Sequence, residues 1–232
     1  TQGFAADITV SSEIKSMEHC LGTYVKQFPS GCWGEYELGN LSIQPYYSAL
    51  TVRTMCDVNL EHYSPYDYVF KTVQDTEVNI CANIKTLLES AVKKRLMSER
   101  AVGSLLSGGL DSTLVTAILC KNMDPSKLNT YSIGLSGSVD LMWAKRAAKF
   151  LGTRHHEVCL TEKEFLDAIE DTIYQIESYD TTSVRASLPN FLISKYISRM
   201  SNDVVIFCGD MSDEMFGSYR GFTKAPTDEA FK

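Results

Sequence analysis

Val102-Gly103-Ser104-Leu105-Leu106-Ser107-Gly108-Gly109-Leu110-Asp111-Ser112 reads as an apolar strand running into a two-glycine loop, and Thr113 to Lys121 continues it in a helical pattern. A strand that ends in two glycines lets the backbone come close to an anion. The helix that follows points unpaired N–H groups and the positive end of its dipole at the same place. Ser107 and Ser112 add hydroxyl donors, and Asp111 is a carboxylate suited to the Mg2+ that accompanies a nucleotide polyphosphate. The stretch therefore predicts a pyrophosphate-binding loop between a strand and a helix. No lysine stands in it, so it is not a Walker A loop, which ends in Gly-Lys-Ser/Thr. A ligand-free glycine turn would match the five specified positions by accident on the order of once in several thousand chains of this length.

Outward from this loop the pattern alternates. Ile80, Ile84, Leu87, Leu88, Ala91 and Val92 share one helical face, with Lys93, Lys94 and Arg95 at the end where the dipole favours cations. After it come strand 102–106, helix 112–121, strand 129–135, helix 140–151 closed by Gly152, strand 154–159, helix 162–177, helix 188–200 and strand 203–208. Thr161-Glu162-Lys163-Glu164 is a capping box for the helix from 162. Alternation of this kind predicts an α/β fold, a parallel sheet with helices on both faces. Ligands of such sheets bind at the carboxyl ends of the strands. The exits Leu106-Ser107-Gly108, Ile133-Gly134-Leu135 and Phe207-Cys208-Gly209-Asp210 should then lie along one edge, within reach of one nucleotide. Ahead of all this, residues 1–47 carry short apolar runs broken by Gly, Pro, Ser and Asn and read as short strands, and 48–76 reads as a tyrosine-rich linker.

The net charge of -7 leaves no basic footprint, so neither nucleic acid nor an anionic membrane is an expected partner. Seven cysteines stand singly, without a Cys-x-x-Cys pair, and read as reduced thiols of a cytoplasmic protein with no structural zinc site. No run is apolar for long enough to span a bilayer, no signal-peptide core lies near Thr1, and the missing initiator Met points to a piece of a longer protein. His155 and His156, adjacent on a strand, point to opposite faces and cannot share a metal. Trp33 and Trp143 read as packing residues.

Cys208-Gly209-Asp210-Met211-Ser212-Asp213-Glu214 follows the apolar run Val204 to Phe207 and gathers three carboxylates beside a glycine. Clustered carboxylates raise one another's pKa unless a cation neutralises them. Placed at a strand's carboxyl end, near a pyrophosphate loop, the cluster predicts a Mg2+ site. Elsewhere it would read as a solvated acidic turn.

The Ser-Gly-Gly-x-Asp-Ser loop resembles that of the PP-loop ATP pyrophosphatases, whose fold is adenine nucleotide α-hydrolase-like. These hold the β,γ-pyrophosphate as leaving group while a substrate oxygen attacks the α-phosphorus. The loop, Tyr131-Ser132-Ile133-Gly134-Leu135 with Gly137-Ser138-Val139-Asp140-Leu141, Leu151-Gly152-Thr153-Arg154-His155-His156-Glu157, Tyr179-Asp180-Thr181-Thr182-Ser183-Val184-Arg185-Ala186-Ser187, and Cys208 to Tyr219 with Lys224-Ala225-Pro226 are together similar to the synthetase domain of the glutamine-hydrolysing asparagine synthetases. The similarity runs from about residue 78 onward. It continues more weakly through Ser12-Glu13-Ile14-Lys15 and Phe28-Pro29-Ser30-Gly31, which resemble the last strands of that family's N-terminal glutaminase domain.

The resemblance implies an ATP-dependent amide ligase that converts aspartate to asparagine through β-aspartyl-AMP, using glutamine-derived ammonia, with ATP and Mg2+ bound and a homodimer as the suggested assembly. It puts Leu105, Leu106 and Ile133 around the adenosine, and Cys208 and Gly209 at the AMP. Ser107, Gly108, Gly109 and Ser112 would cradle the pyrophosphate, with Asp111 and Asp213 on Mg2+. Asp210 stands where the family has a glutamate implicated in adenylate formation, and Thr182 and Arg185 match positions that handle aspartate and its adenylate. A guanidinium such as that of Arg185 clamps a carboxylate with two parallel hydrogen bonds.

The family's Ser-Gly-Glu-Gly-Ser-Asp-Glu is Cys208-Gly209-Asp210-Met211-Ser212-Asp213-Glu214 here: a weaker hydrogen-bonding group, a shorter acid, and a side chain where glycine would take a positive φ. Phe-Gly-Gly-Tyr is Phe216-Gly217-Ser218-Tyr219. The glutaminase's N-terminal cysteine and a lysine that stabilises transition-state charge are expected outside these 232 residues. Two rival readings follow: a related ligase such as a β-lactam-type synthetase, and a catalytically silent homologue acting as a binding subunit.

Overall fold

The structure is a computed structural model that describes residues 8–20, 25–37, 39–45, 77–219, 221, 224, 226 and 227. The linker expected over 48–76 lies outside the described residues, as do residues 1–7, Tyr46 and Tyr47 of the segment expected to form short strands. The chain divides into two units, Thr1–Glu77 and Val78–Lys232.

In the first unit a short 3-10 stretch, Ile14–Cys20, precedes an antiparallel hairpin of β1 (Cys32–Glu37) and β2 (Asn40–Pro45), with Trp33 opposite Gln44 and Tyr36 opposite Leu41. Gly39 supplies the positive φ of +89° that the connecting turn requires. Trp33 is 46% exposed, so its expected packing role is not met within the described hairpin.

The second unit begins with α1 (Glu77–Arg95) and then alternates: β3 (Val102–Leu105), α2 (Leu110–Asn122), β4 (Asn129–Leu135), α3 (Val139–Leu151), β5 (Arg154–Leu160), α4 (Glu162–Asp167), α5 (Ile169–Ile176), α6 (Thr181–Met200), β6 (Val205–Phe207) and α7 (Ser212–Phe216). The four strands form one parallel sheet in the order β5-β4-β3-β6. The chain moves outward from β3 through β4 to β5 and then returns to the far side of β3. The strand order therefore reverses at β3, and the crevice between the β3 and β6 exits is the switch point at which open α/β sheets bind ligands.

Successive strand residues face opposite sides, and the two sides bury separate cores. Val102, Val205 and Phe207 pack with Val92 of α1 and Ile118 and Leu119 of α2. Leu105, Tyr131, Ile133 and Ile206 pack with Ile193 and Ile197 of α6. Helices cover both faces, as the alternating pattern implies.

Three local expectations are corrected. The apolar face of α1 buries Val92 and packs Leu88, but Ile80, Ile84 and Leu87 are exposed, because the helix meets the sheet through its C-terminal turns. The helix expected over 162–177 keeps its capping box at Thr161 and Glu164 but breaks at Ala168 (φ -90°, ψ -2°), which ends α4 and starts α5, and the break sets α5 against α6. The helix expected from 188 begins at Thr181, where Asp180 accepts from the Ser183 N–H (2.8 Å). Pro189 lies inside α6. It removes one N–H without ending a helix held by packing further along.

Candidate functional site

Gly108 leads the chain out of β3 with φ +80°, and a Cβ there would lie 2.4 Å from the Trp143 carbonyl carbon and 2.5 Å from the Ala144 nitrogen. Glycine is thus required twice, by the left-handed backbone and by the approach of α3. Trp143, expected to pack, meets the loop through its backbone and Cβ; the residue is 44% exposed, with its ring beneath the Arg146 guanidinium.

Ser107 Oγ and Ser112 Oγ are 2.9 Å apart; the Ser107 N–H donates to Ser112 Oγ (3.2 Å) and the Gly109 N–H to Ser107 Oγ (3.3 Å). Each hydroxyl accepts one backbone N–H, and one of the two hydroxyl protons joins the pair. The other is left for a ligand oxygen, its weak alternative being the Gly109 carbonyl at 3.5 Å from Ser112 Oγ. Gly109, at the N-cap of α2, has no side chain to satisfy the helix's first N–H groups. In the same turn Thr113 Oγ1 is buried without a hydrogen-bond partner among the described residues. An uncapped helix start, a spare hydroxyl proton and an orphaned hydroxyl fit an anionic group.

The β6 exit lies against this loop. A Cβ at Gly209 would stand 2.7 Å from the Ser112 nitrogen and 2.9 Å from the Asp111 carbonyl carbon, so only glycine fits that approach. Cys208 is exposed as a residue, yet partial burial of its thiol pushes the pKa up, and the Asp210 carboxylate adds to this against a backbone hydrogen bond. It stays a thiol. Met211 adopts the left-handed conformation that its side chain disfavours (φ 76°, ψ -3°), a strain of about 1 kcal/mol. Its turn lets Ser212 Oγ donate to the Gly209 carbonyl (3.0 Å). Beyond α7 the chain folds back: Ser218 Oγ donates to Asp213 Oδ1, and the Tyr219 hydroxyl donates to Glu214, which pushes the phenol up to about 12.

The remaining sequence-derived positions divide. Leu105 and Ile133 are half-buried on the α6 face, while Leu106 is only 1% exposed, so its side chain belongs to the core, and its N–H donates to the Tyr131 carbonyl (2.8 Å). The parallel ladder puts the third exit on the same edge, beside that of β3, where a Cβ at Gly134 would meet Leu141 Cγ of α3 at 3.1 Å. Thr182 and Arg185 are exposed in the first turns of α6, and among the described residues neither bonds to the loop or to the 208–214 segment. Arg185 lies eight residues before Ile193, which packs on Tyr131, hence about 12 Å along the helix towards the carboxyl edge.

Asp111 stands in the first turn of α2 and Asp213 in that of α7, one on each side of the switch point. A carboxylate at an anion-binding helix start is compatible with pyrophosphate only if a cation stands between them. Among the described residues no three His, Cys, Asp or Glu side chains gather to hold a metal ion. Two carboxylates suit Mg2+, which completes its shell with water and phosphate oxygens.

The family model described as Asparagine synthase matches residues 83–231, well over half of the chain. The chain belongs to the asparagine synthase family. It is 38% identical over 238 residues to the glutamine-hydrolysing asparagine synthetase of Cricetulus griseus and 38% identical over 237 residues to that of Homo sapiens, in each case covering 98% of this chain and 41% of the relative. The Gallus gallus enzyme is 47% identical over 152 residues, 64% of this chain and 27% of the relative. The chain thus spans well under half the length of the relatives it matches. Among solved structures, the NH3-dependent NAD synthetase of Campylobacter jejuni in complex with nitrate aligns over 60% of each chain at 19% identity, with a TM-score of 0.43.

In this asparagine synthase family chain, three features had no sequence signal of their own: the orphaned Thr113 hydroxyl, the seat of Gly108 on α3, and the bond from Ser218 to Asp213. Thr113 is an ordinary residue at its position, and only its neighbours distinguish it.

Proposed function

We propose that the full protein is an ATP-dependent amide ligase that makes asparagine from aspartate and glutamine-derived ammonia. The observation that carries this reading is the Ser107–Ser112 loop, which sits at the switch point with a hydroxyl proton only weakly held by the Gly109 carbonyl and with uncapped N–H groups, closed on its far side by Gly209. In the proposed reaction an oxygen of the aspartate β-carboxylate bonds to the α-phosphorus of ATP, and the bond to the β-phosphate breaks. Ammonia then bonds to the acyl carbon of β-aspartyl-AMP, a proton is lost, and AMP leaves.

The loop's N–H groups and hydroxyls would hold the departing pyrophosphate in place, which is where charge develops. Bound between Asp111 and Asp213, Mg2+ would neutralise that charge. Leu105, Leu106 and Ile133 are assigned to the adenosine and Cys208 and Gly209 to the AMP. Asp210 is assigned to adenylate formation and Thr182 and Arg185 to aspartate, the guanidinium gripping a carboxylate. The same reading makes residues 1–47 the last part of a glutaminase domain and 77–232 the first part of the synthetase domain, in a cytoplasmic homodimer. Among the described residues no helix is long and apolar enough to cross a membrane.

Product analysis of the full-length enzyme with aspartate, ATP and either glutamine or ammonia tests the reading. AMP and pyrophosphate are expected in step with asparagine; ADP and orthophosphate would overturn it. The left-handed Met211 favours a working site over a silent homologue, because it preserves at some cost the turn that glycine would take freely.

A further inference from the structure

β3 meets α2 through a pair of hydroxyls as well as through apolar side chains. Ser104 and Thr116 are each 0% exposed, and their oxygens lie 2.9 Å apart. Thr116 Oγ1 donates to the Ser112 carbonyl one turn earlier (2.7 Å), so in the shared bond it must accept from Ser104. Ser104 Oγ also lies 3.4 Å from the carbonyl of Phe207, the last residue of β6. Ser112, at the end of this chain of bonds, pairs with Ser107 through its hydroxyl and faces Gly209 through its nitrogen. One buried seam of hydrogen bonds therefore connects β3 to the first turn of α2, with the end of β6 in van der Waals reach of Ser104.

Stability does not account for the seam. A satisfied buried hydrogen bond contributes about 1 kcal/mol net, and two apolar groups of the same shape would hold the interface about as well. Directionality is what the hydroxyls add. The other contacts of α2 with the sheet, through Val115, Ile118 and Leu119, are apolar and tolerate sliding, whereas a hydrogen bond fixes its partners to within a few tenths of an ångström. The back-bond from Thr116 ties its side chain to the turn that carries Ser112.

We propose that Ser104 and Thr116 are positioning residues for the pyrophosphate loop, setting the first turn of α2 at the height at which the Ser107–Ser112 pair and the Gly209 exit face one ligand. This rests on the reading of that loop as a pyrophosphate site. The test uses the full-length enzyme and two measurements, the melting temperature and the dissociation constant for inorganic pyrophosphate with Mg2+ by calorimetry.

Ser104→Ala and Thr116→Val singly should lower the melting temperature, because each leaves the other hydroxyl with a lost partner. The double variant should regain the wild-type melting temperature yet bind pyrophosphate about fivefold more weakly, as the singles do, while Thr116→Ser binds within about twofold of wild type. A double variant that melts and binds like wild type would reduce the pair to packing and overturn the proposal. If wild type binds no pyrophosphate, or Ser107→Ala leaves its affinity unchanged, the loop reading itself fails and takes the proposal with it.

Discussion

At the amino end of the sheet Asp203 accepts from the Tyr131 hydroxyl (2.6 Å) and from the Asn129 side-chain amide (2.9 Å), and His156 stacks on the Tyr131 ring while meeting Asn129 Oδ1 at 3.3 Å. Gly103 makes room for them, since a Cβ there would lie 2.8 Å from Asp203 Oδ2. At the carboxyl edge the same kinds of group are in part weakly paired or unpaired among the described residues: a hydroxyl proton of the Ser107–Ser112 pair with only the Gly109 carbonyl at 3.5 Å, an uncapped α2, and Thr113 without a partner. One end uses its polar groups to hold the chain together. The other keeps them for something that binds. Changes at the two ends should therefore separate, with activity lost at one and stability at the other.

The sharpest test of this division is Asp111→Asn. If the residue meets Mg2+ and pyrophosphate, turnover of the full-length enzyme should fall at least about 100-fold while the melting temperature holds, and activity within about threefold of wild type would remove Asp111 from the site. Gly108→Ala breaks the separation deliberately, because the new methyl meets the α3 backbone and the backbone has positive φ. It should cost about 3 kcal/mol in denaturant unfolding and abolish activity with it.

At the other end Tyr131→Phe removes a buried hydroxyl from a carboxylate. A loss of about 2 kcal/mol in stability is expected, with kcat and KM for ATP unchanged. A change in KM would mean that the amino end also shapes the site. The Tyr131 phenol, pushed up to about 12 by burial and by Asp203, remains a donor throughout the working range.

Met211→Gly should raise stability by about 1 kcal/mol by relieving the left-handed strain, and it should preserve adenylation measured as aspartate-dependent pyrophosphate release. Met211→Val should lower both, since a β-branched side chain tolerates that conformation least. Equal activity in all three would detach the turn from the chemistry.

The smallest effect lies midway along the sheet, at His155, whose ring nitrogens meet Thr130 Oγ1 and Ser132 Oγ at 3.0 Å each. Burial holds its pKa below the ordinary value, with Glu157 pulling the other way and His156 and Lys145 adding to the fall. The unfolded chain then takes up the proton more readily than the folded one, so this part of the stability is complete above an ordinary histidine pKa of about 6.5 and is lost as pH falls below it. Melting curves should fall in that direction for wild type and lose part of the slope in His155→Gln.

Much of the fold is legible along the chain, because it depends on periodicity and turn chemistry within a few residues. β4 runs over the expected 129–135, the capping box at Thr161 is present, and Gly152 closes α3 with a φ of +77°. The start of α6 lies ahead of the expected one, at the Asp180 cap, in a helix that packs further along through Ile193 and Ile197. The break at Ala168 is likewise absent from the sequence reading, and it leaves α5 packed along α6.

The Ser107–Ser112 loop is determined by the sequence itself: two glycines, two hydroxyls and a carboxylate between a strand and a helix carry their chemistry wherever they are placed. Tertiary structure alone decided what faces that loop. β6 pairs with β3 and not with β5, which brings Gly209 against Ser112 across nearly a hundred residues of chain, and α3 comes to rest on Gly108. Strand order and close backbone approach arise from how whole elements pack on the two faces of a sheet, and no window of a few residues contains that information.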